Sequence, residues 1–497
     1  MVSAVPAVVI AAASSGSGKT TIATGLMGAL RAAGRRVAPF KVGPDYIDPG
    51  YHALAAGRVG RNLDPVLVGA HRIGPLYAHG SHGADIAVIE GVMGLFDGRI
   101  VEEPAAAADP IAAGSTAEVA VALGAPVVMV VDGTGQGQSV AAMLHGFCTY
   151  DPRVRICGVI LNRVGSPRHE QVLRQACERV GLPVFGAIRR DDQLSVPARH
   201  LGLVPAAESG GPARAAVEAM SRSVAAGVDL DALVRVAAAT EPAAGVAPWT
   251  PADEVGEPAP GRPLVAVAGG RAFTFGYAEH PELLAAAGAQ VVTFDPLSDR
   301  LPEHTSAMII GGGFPEEHAA ELSANTALRR DVVALAAAGA PIVGECAGLL
   351  YLARELDGHQ MTGVLPVDGR FSPRLTLGYR DAVASTGSPF HDIGDRVVGH
   401  EFHRSVVVAA GGGDTGTCAQ PRGDIAPAWT WRRVDPVTGA RSTVDDGVVI
   451  GSVHASYLHL HPASTPRAVR RLVAAAARWA DAAEIDRRPV GDTMTRR

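Results

Sequence analysis

Lys19, Thr20 and Thr21, reached through the turn Ala13-Ser14-Ser15-Gly16-Ser17-Gly18, are the first residues of this chain whose types and spacing could do chemistry. A β-branched and Ala run precedes the turn and a helical stretch follows it, the order strand, phosphate loop, helix. Gly16 and Gly18 free backbone N–H groups to wrap a triphosphate at the positive end of the helix. Lys19 can then reach the β/γ oxygens of ATP, and the Thr20 hydroxyl can ligate Mg²⁺. The plainer alternative is a Gly/Ser turn that merely opens a helix; the preceding strand and the Lys-Thr pair favour nucleotide binding. The motif's leading Gly is Ala13 here, so the match is partial.

Acids stand just past the ends of later apolar runs, where a doubly wound sheet places its site. LysValGlyProAspTyrIleAspPro (41–49) offers Lys41, Asp45 and Asp48; GluGlyValMetGlyLeuPheAspGly (90–98) offers Glu90 and Asp97. A carboxylate at a strand's carboxyl end, facing a phosphate loop, is the usual second anchor for Mg²⁺, and Glu90 is the candidate, with Asp45 as a further ligand. Asp45, Asp48 and Asp97 could instead position a substrate carboxylate for attack on the γ-phosphate, while Lys41 stabilises the transferring phosphoryl group. Any one of these acids alone reads as well as a helix cap or turn former. Asn162, ending another apolar run, offers an amide that can pair with the edge of adenine, or simply a turn.

A second set lies in the other half of the chain. ProIleValGlyGluCysAlaGlyLeuLeu (341–350) runs a strand into a Gly-flanked Cys and an apolar helix start, the arrangement of a nucleophile elbow. Gly344, Ala347 and Gly348 permit the sharp turn, and the helix N-terminus is expected to lower the pKa of the Cys346 thiol. A free Cys is otherwise most often just buried. GlyGlyGlyPhePro (311–315) could lend backbone N–H groups to an oxyanion hole. For a base, ValHisAlaSerTyrLeuHisLeuHisPro (453–462) supplies His454, His459 and His461, which alternation along an extended segment would point unequally; GlyHisGluPheHisArgSer (399–405) supplies His400 and His403.

The elements that must carry these residues alternate βα. Candidate strands in the first half are Val8–Ala12, Val37–Val42, Asp85–Glu90, Val127–Asp132, Ile156–Asn162 and Val184–Ile188, near-continuous apolar runs of the kind buried on both faces by helices. Thr21–Ala33 and Glu118–Leu123 read as covering helices, and 212–240 as one or two closing ones. Residues 1–240 form one domain, the Pro/Ala/acid stretch 241–261 a linker, 262–485 a second domain, and 486–497 a disordered polar tail. In the second domain the expected strands are Leu264–Ala268, Gln290–Phe294, Ala307–Gly311 and Pro341–Glu345, with helices Glu282–Ala287 and Leu328–Ala338. Shorter β runs Gly399–Val408 and Gly447–Val453 and a helix Pro466–Ala483 finish it. The fold class is therefore α/β, two doubly wound domains.

Composition agrees. Of 497 residues 47% are apolar and 19% charged, enough for two large buried cores. A net charge of −6 gives no electrostatic reason to bind nucleic acid or a membrane surface. Five scattered cysteines make neither a disulfide framework nor a CxxC metal site, which points to a reducing cytoplasm. No uncharged apolar run reaches the roughly 18 residues of a membrane span, and no leader pattern precedes the first motif.

Taken together, AlaSerSerGlySerGlyLysThr, LysValGlyProAspTyrIleAspPro, GluGlyValMetGlyLeuPheAspGly, GlyGlyGlyPhePro, GlyGluCysAlaGly, GlyHisGluPheHis and AlaSerTyrLeuHis resemble, in order and spacing, the cobyrinic or hydrogenobyrinic acid a,c-diamide synthase family over nearly the whole chain. The resemblance implies an N-terminal P-loop domain similar to dethiobiotin synthetase, in a family whose loop tolerates Ala at the leading position. It also implies a C-terminal class I glutamine amidotransferase domain of the cobyric-synthase subtype. By the same resemblance Cys346 matches the nucleophile that forms the glutamyl thioester and His459 the base, with His461 the competing choice. Gly16, Gly18, Lys19, Thr20, Thr21, Lys41 and Glu90 match the ATP and Mg²⁺ set, and Asp45, Asp48 and Asp97 the acids near the phosphorylated carboxylate. A Glu two residues past the base orients it in ordinary amidotransferases; position 461 is His and 463 Ala, so that partner is missing.

What the resemblance implies is a cytoplasmic ligase of cobalamin biosynthesis. ATP converts the a and c carboxylates of hydrogenobyrinic or cobyrinic acid to acyl phosphates, and ammonia from L-glutamine attacks them along a closed path between the domains. The heavy use of Ala, Gly, Val and Arg, typical of GC-rich genomes, leans the substrate toward metal-free hydrogenobyrinic acid, and a homodimer is compatible with the resemblance. Two rivals share parts of the pattern: cobyric acid synthase, which amidates other side chains, and a ParA/MinD-like ATPase, which has no use for Cys346.

Overall fold

Seven strands build the sheet that carries the phosphate loop: Ala7–Ala12 (β1), Val37–Val42 (β2), Arg61–Leu63 (β3), Ile86–Glu90 (β4), Val127–Asp132 (β5), Ile156–Val164 (β6) and Val184–Arg189 (β7). Their order is β3-β2-β4-β1-β5-β6-β7, every pair parallel. The computed structural model describes residues 5–100, 109–191, 198–199, 202–241, 246–409, 426–435 and 438–487, and divides the chain into two compact units, Met1–Thr250 and Pro251–Arg497. Strands β1 and β4 are buried along their whole length, as their unbroken apolar runs require. β1 lies between β4 and β5; the chain runs from β1 to β2 on one side and from β4 across to β5 on the other, so the loop after β1 opens at a switch in strand order. The six expected strands all form. The seventh, edge strand β3, was illegible because it is three residues of Arg-Asn-Leu with no apolar run.

Two helices matter for the site, Lys19–Ala32 (α1) and Asp48–Ala56 (α2). The closing helices run Gly211–Gly227 and Leu230–Ala237. Gly25 and Gly28 of α1 let the first of these approach: a Cβ at Gly28 would lie 2.0 Å from Ser221 Oγ, and one at Gly25 2.7 Å from Met220 O. The stretch 241–261 is more ordered than its composition implies. Trp249 is buried and its backbone N–H donates to Pro75 O, while Pro251–Val255 is a short helix of the second unit; residues 242–245 lie outside the described residues.

The second unit holds a six-stranded sheet in the order Gln290–Phe294, Leu264–Ala268, Thr305–Ile310, Ile342–Glu345, Val453–Ser456, Val448–Ile450, parallel except for the last pair. The apolar run 447–453, expected as one strand, is two antiparallel strands that reverse at Gly451, whose φ of 55° suits a residue without Cβ. A further, mostly antiparallel sheet is built on Val367–Ala384 paired with Arg396–Ala409, extended by Trp429–Val434 and the short strand His459–Leu460. Val367–Ala384 went unforeseen because its middle is Arg-, Pro- and Gly-rich and half exposed. The last helix is Pro466–Arg487; the tail expected from 486 lies, from 488 on, outside the described residues. Among the described residues no helix is long and apolar enough to cross a membrane.

Candidate nucleotide and glutamine sites

The loop between β1 and α1 turns at Gly16 (φ 78°) and Gly18 (φ 91°), and Gly18 caps α1 with no side-chain bond to the helix N–H groups. Ala13 is not among the positive-φ residues, so no Gly is needed there and the departure from the motif has no steric consequence. Asn162 braces the loop: its Nδ2 donates to Ser17 O at 3.1 Å, and a Cβ on Gly18 would lie 2.1 Å from that nitrogen. Asn162, expected to pair with the edge of adenine, is 4% exposed. Arg163, next to it, was not foreseen; it adopts φ 53° and bonds both Gly16 O (2.9 Å) and Asp132 (2.7 Å). Lys19 Nζ donates to Ser14 O (2.9 Å) and Met93 O (2.6 Å). Burial, then the charge of Lys41, bring its pKa down to about 8. Thr21 follows in the first turn, half-buried.

Beneath the loop the strand register sets Lys41 of β2 beside Glu90 of β4. Lys41 Nζ lies 2.8 Å from Glu90 Oε1 and 2.6 Å from Asp48 Oδ2. Thr20 Oγ1 lies 2.6 Å from that same Glu90 oxygen and 3.2 Å from the same Asp48 oxygen. Glu90 Oε2 meets His52 Nε2 at 2.6 Å. His52 was missed, although its spacing of four from Asp48 puts both on one face of α2. Burial opposes the charge on Glu90, yet Lys41 and His52 outweigh it and hold its pKa below the carboxylate range. For Asp48, burial and then the neighbouring Asp45 push the pKa well up. Burial likewise opposes the charge on Lys41, and Asp48, Glu90 and Asp45 more than offset it.

Two of the expected acids are occupied otherwise. Asp45 Oδ1 accepts the N–H groups of Ile47 and Asp48 (2.8 and 2.9 Å), opening α2, and its other oxygen stands 4.0 Å from Lys41. Asp97 Oδ2 accepts the Gly94 N–H at 2.9 Å, closing the turn whose Met93 carbonyl holds Lys19. The oxygen donors that converge on one point are therefore Thr20, Glu90 and Asp48, with Asp45 set further out, its Oδ1 engaged in capping and its Oδ2 4.0 Å from Lys41. Hard oxygen donors with net negative charge suit Mg²⁺.

In the second unit Cys346 ends the strand Ile342–Glu345 with φ 52° and is 3% exposed. The sharp turn depends on its neighbours: a Cβ on Gly348 would lie 2.2 Å from Ile310 O. Backbone N–H groups of Gly313 and Ala347 reach the sulfur, one of them from the expected Gly-rich loop. The expectation of a lowered thiol pKa fails. Burial, then the charge of Glu316, push it up, and the helix that follows, Ala347–Leu352, has only six residues to oppose them.

The three histidines of 453–462 do point unequally. His454 faces the rings of Phe390, His391 and Trp429. His461 caps the turn at Pro462, accepting the Ala463 N–H, with Tyr277 against its ring and Glu279 3.8 Å away. His459 lies against the Gly-rich loop, where a Cβ on Gly312 would be 2.3 Å from its Cε1, and Phe275 neighbours both it and Phe402. The Phe402 carbonyl in turn faces Cys346 Sγ at 3.9 Å. Loop 311–313 thus stands next to Cys346 through Gly313 and next to His459 through Gly312. Burial and then His400 and His403 hold the His459 pKa down at about 3, so the resting imidazole is neutral.

Comparison with known proteins agrees with both units. Residues 8–204 match the CobQ/CobB/MinD/ParA nucleotide binding domain, and residues 265–466 the CobB/CobQ-like glutamine amidotransferase domain. That pairing defines a glutamine-hydrolysing, ATP-using carbon–nitrogen ligase. Hydrogenobyrinate a,c-diamide synthase of Mycobacterium tuberculosis is 60% identical over 95% of this chain and 98% of its own. The enzyme of the same name from Streptomyces coelicolor is 54% identical over 95% and 97%, and cobyrinate a,c-diamide synthase of Gloeobacter violaceus 41% over 94% and 96%. The chain belongs to the a,c-diamide synthase family.

Proposed function

We propose that this chain amidates the a and c carboxylates of hydrogenobyrinic acid in cobalamin biosynthesis, in the cytoplasm, with ATP and L-glutamine. The metal-free macrocycle is preferred because the relatives that share half or more of the sequence carry the hydrogenobyrinate name, and the cobyrinate-named ones stand further off. The observation that carries the reading is the pairing, in one chain, of the Thr20–Glu90–Asp48–Lys41 cluster with a buried Cys346 set among N–H donors.

In the first unit Lys19 leaves its two carbonyls for the β/γ oxygens, and Gly16 and Gly18 open the loop backbone to the phosphates. Thr20, Glu90 and Asp48 would hold Mg²⁺, which neutralises phosphate charge when bound. A carboxylate oxygen attacks the γ-phosphorus, ADP departs, and the acyl phosphate is kept from water. Lys41 opposes the charge on the transferring group. In the second unit the Cys346 proton passes to His459 and the thiolate attacks the glutamine carboxamide carbon. Gly313 and Ala347 N–H groups bind the oxyanion, and His459 returns the proton to the departing ammonia. Water then hydrolyses the thioester, while ammonia displaces phosphate from the acyl phosphate to give the amide.

The test is incubation of the purified full chain with ATP, Mg²⁺ and glutamine, with hydrogenobyrinic or cobyrinic acid as acceptor, followed by mass spectrometry. We expect two amides added to hydrogenobyrinic acid and at least tenfold lower turnover of cobyrinic acid. Equal turnover of both would remove the preference, and amidation of neither would remove the assignment.

A further inference from the structure

The residue that would orient His459 is missing from its usual place two positions on, where the chain has His461. Glu345, immediately before the nucleophile, lies where such a residue is needed. Its Oε2 is 4.0 Å from His459 Nδ1, and its carboxyl also accepts the backbone N–H of Leu460. The side chain therefore bonds the backbone of Leu460 and stands at ion-pair distance from the His459 ring. We propose that Glu345 is the positioning acid of the glutamine site, holding the Nδ1 side of His459 so that Nε2 is left to take the Cys346 proton. The proposal rests on the roles of Cys346 and His459 given above.

The surroundings explain why an acid in this place changes charge rather than standing ionised. Glu345 also lines a cavity of about 60 Å³, together with His280, His391, His454 and Ser456. Burial keeps those three imidazoles uncharged, with pKa values of about 4, 4 and 3, so none supplies a cation. His459 Nδ1 stands 4.0 Å from the carboxyl, Cys346 adjoins it with its thiol raised by burial and then by the charges of Glu316 and of Glu345 itself, and His400 and His403 flank His459. In that setting desolvation lifts the Glu345 carboxyl to about 8, although its side chain keeps 23% of its surface exposed. Once His459 has taken the thiol proton, an ionised Glu345 stabilises the imidazolium and a protonated one does not. Glutamine hydrolysis should then increase as pH rises through about 8.

Glu345→Gln separates this from a purely structural role, because a Gln oxygen can still accept the Leu460 N–H. Hydrolysis of glutamine and ammonia-dependent amidation are measured on the full chain across pH 6 to 10, beside Glu345→Asp. The expected result is a fall in glutamine kcat of about a hundredfold with little change in KM. The step near pH 8 should vanish in Glu345→Gln and return in part in Glu345→Asp, and amidation from ammonia should be kept. A Glu345→Gln enzyme with wild-type kcat, or one that keeps the pH step, overturns the proposal, as does an equal loss of the ammonia reaction. Cys346→Ala in the same assay is the separate control: glutamine hydrolysis surviving there overturns the reading of the site itself, whatever Glu345 does.

Discussion

The two sites handle charge in opposite ways. Under the phosphate loop, charge stands permanently in the interior: Lys41 is 4% exposed and bonds two carboxylates, Glu90 is fully buried, and His52 completes the ring of partners. Around Cys346 burial keeps the resting groups neutral, with the thiol pushed up, His459 held down and Glu345 lifted to about 8. Buried charge is tolerable only with close partners, and the first site has them because its ligand is itself a polyanion that needs a fixed counter-charge. The second acts on a neutral amide, so a standing thiolate has no ligand to answer it. On the proposed mechanism its charge needs to exist only while the bond breaks, with the N–H groups of Gly313 and Ala347 placed to receive it.

Breaking the contrast on the charged side should have the larger effect. Lys41→Ala leaves Glu90 and Asp48 buried without their cation, and stability should fall by about 3–5 kcal/mol, read by urea unfolding of the full chain. Amidation should be lost with either nitrogen source while glutamine hydrolysis, measured on protein that remains folded, persists. An unchanged midpoint would mean that the cluster is not held by Lys41. On the neutral side, Gly312→Ala adds no charge and only forces His459 to move, since the new Cβ would come 2.3 Å from its Cε1. Glutamine hydrolysis should fall about tenfold to a hundredfold, as for a misplaced catalytic group, with little change in ammonia-dependent amidation. A Gly312→Ala enzyme with wild-type glutamine turnover would place the working histidine elsewhere.

The same contrast explains what could be read from the chain. Apolar runs buried on both faces mark their own strands, and Lys19, Thr20, Lys41 and Glu90 follow from standing at the ends of such runs. Asp45 and Asp97 look identical to Asp48 in sequence, yet local backbone bonds claim them, and only the fold tells which carboxylate is left to face the loop. His52 was legible in principle, four residues after Asp48 on one helix face. Asn162 and Arg163 stand at a strand end like any turn, and their bonds to the phosphate loop span more than 140 positions, beyond any local pattern. Glu345 hid in plain view: as the last residue of a strand it reads as filler, and its partner His459 is brought to it by the pairing of a short strand with Arg396–Ala409. The thiol pKa departs from expectation because a six-residue helix does not offset burial.

The central claim is that the two sites are halves of one reaction joined by ammonia, and Cys346→Ala tests it most directly. With hydrogenobyrinic acid, ATP and Mg²⁺, the variant should form no amide from glutamine and should form it at the wild-type rate from ammonium chloride. Amide formation from glutamine by the variant, or loss of the ammonium reaction in a folded enzyme, would contradict the account.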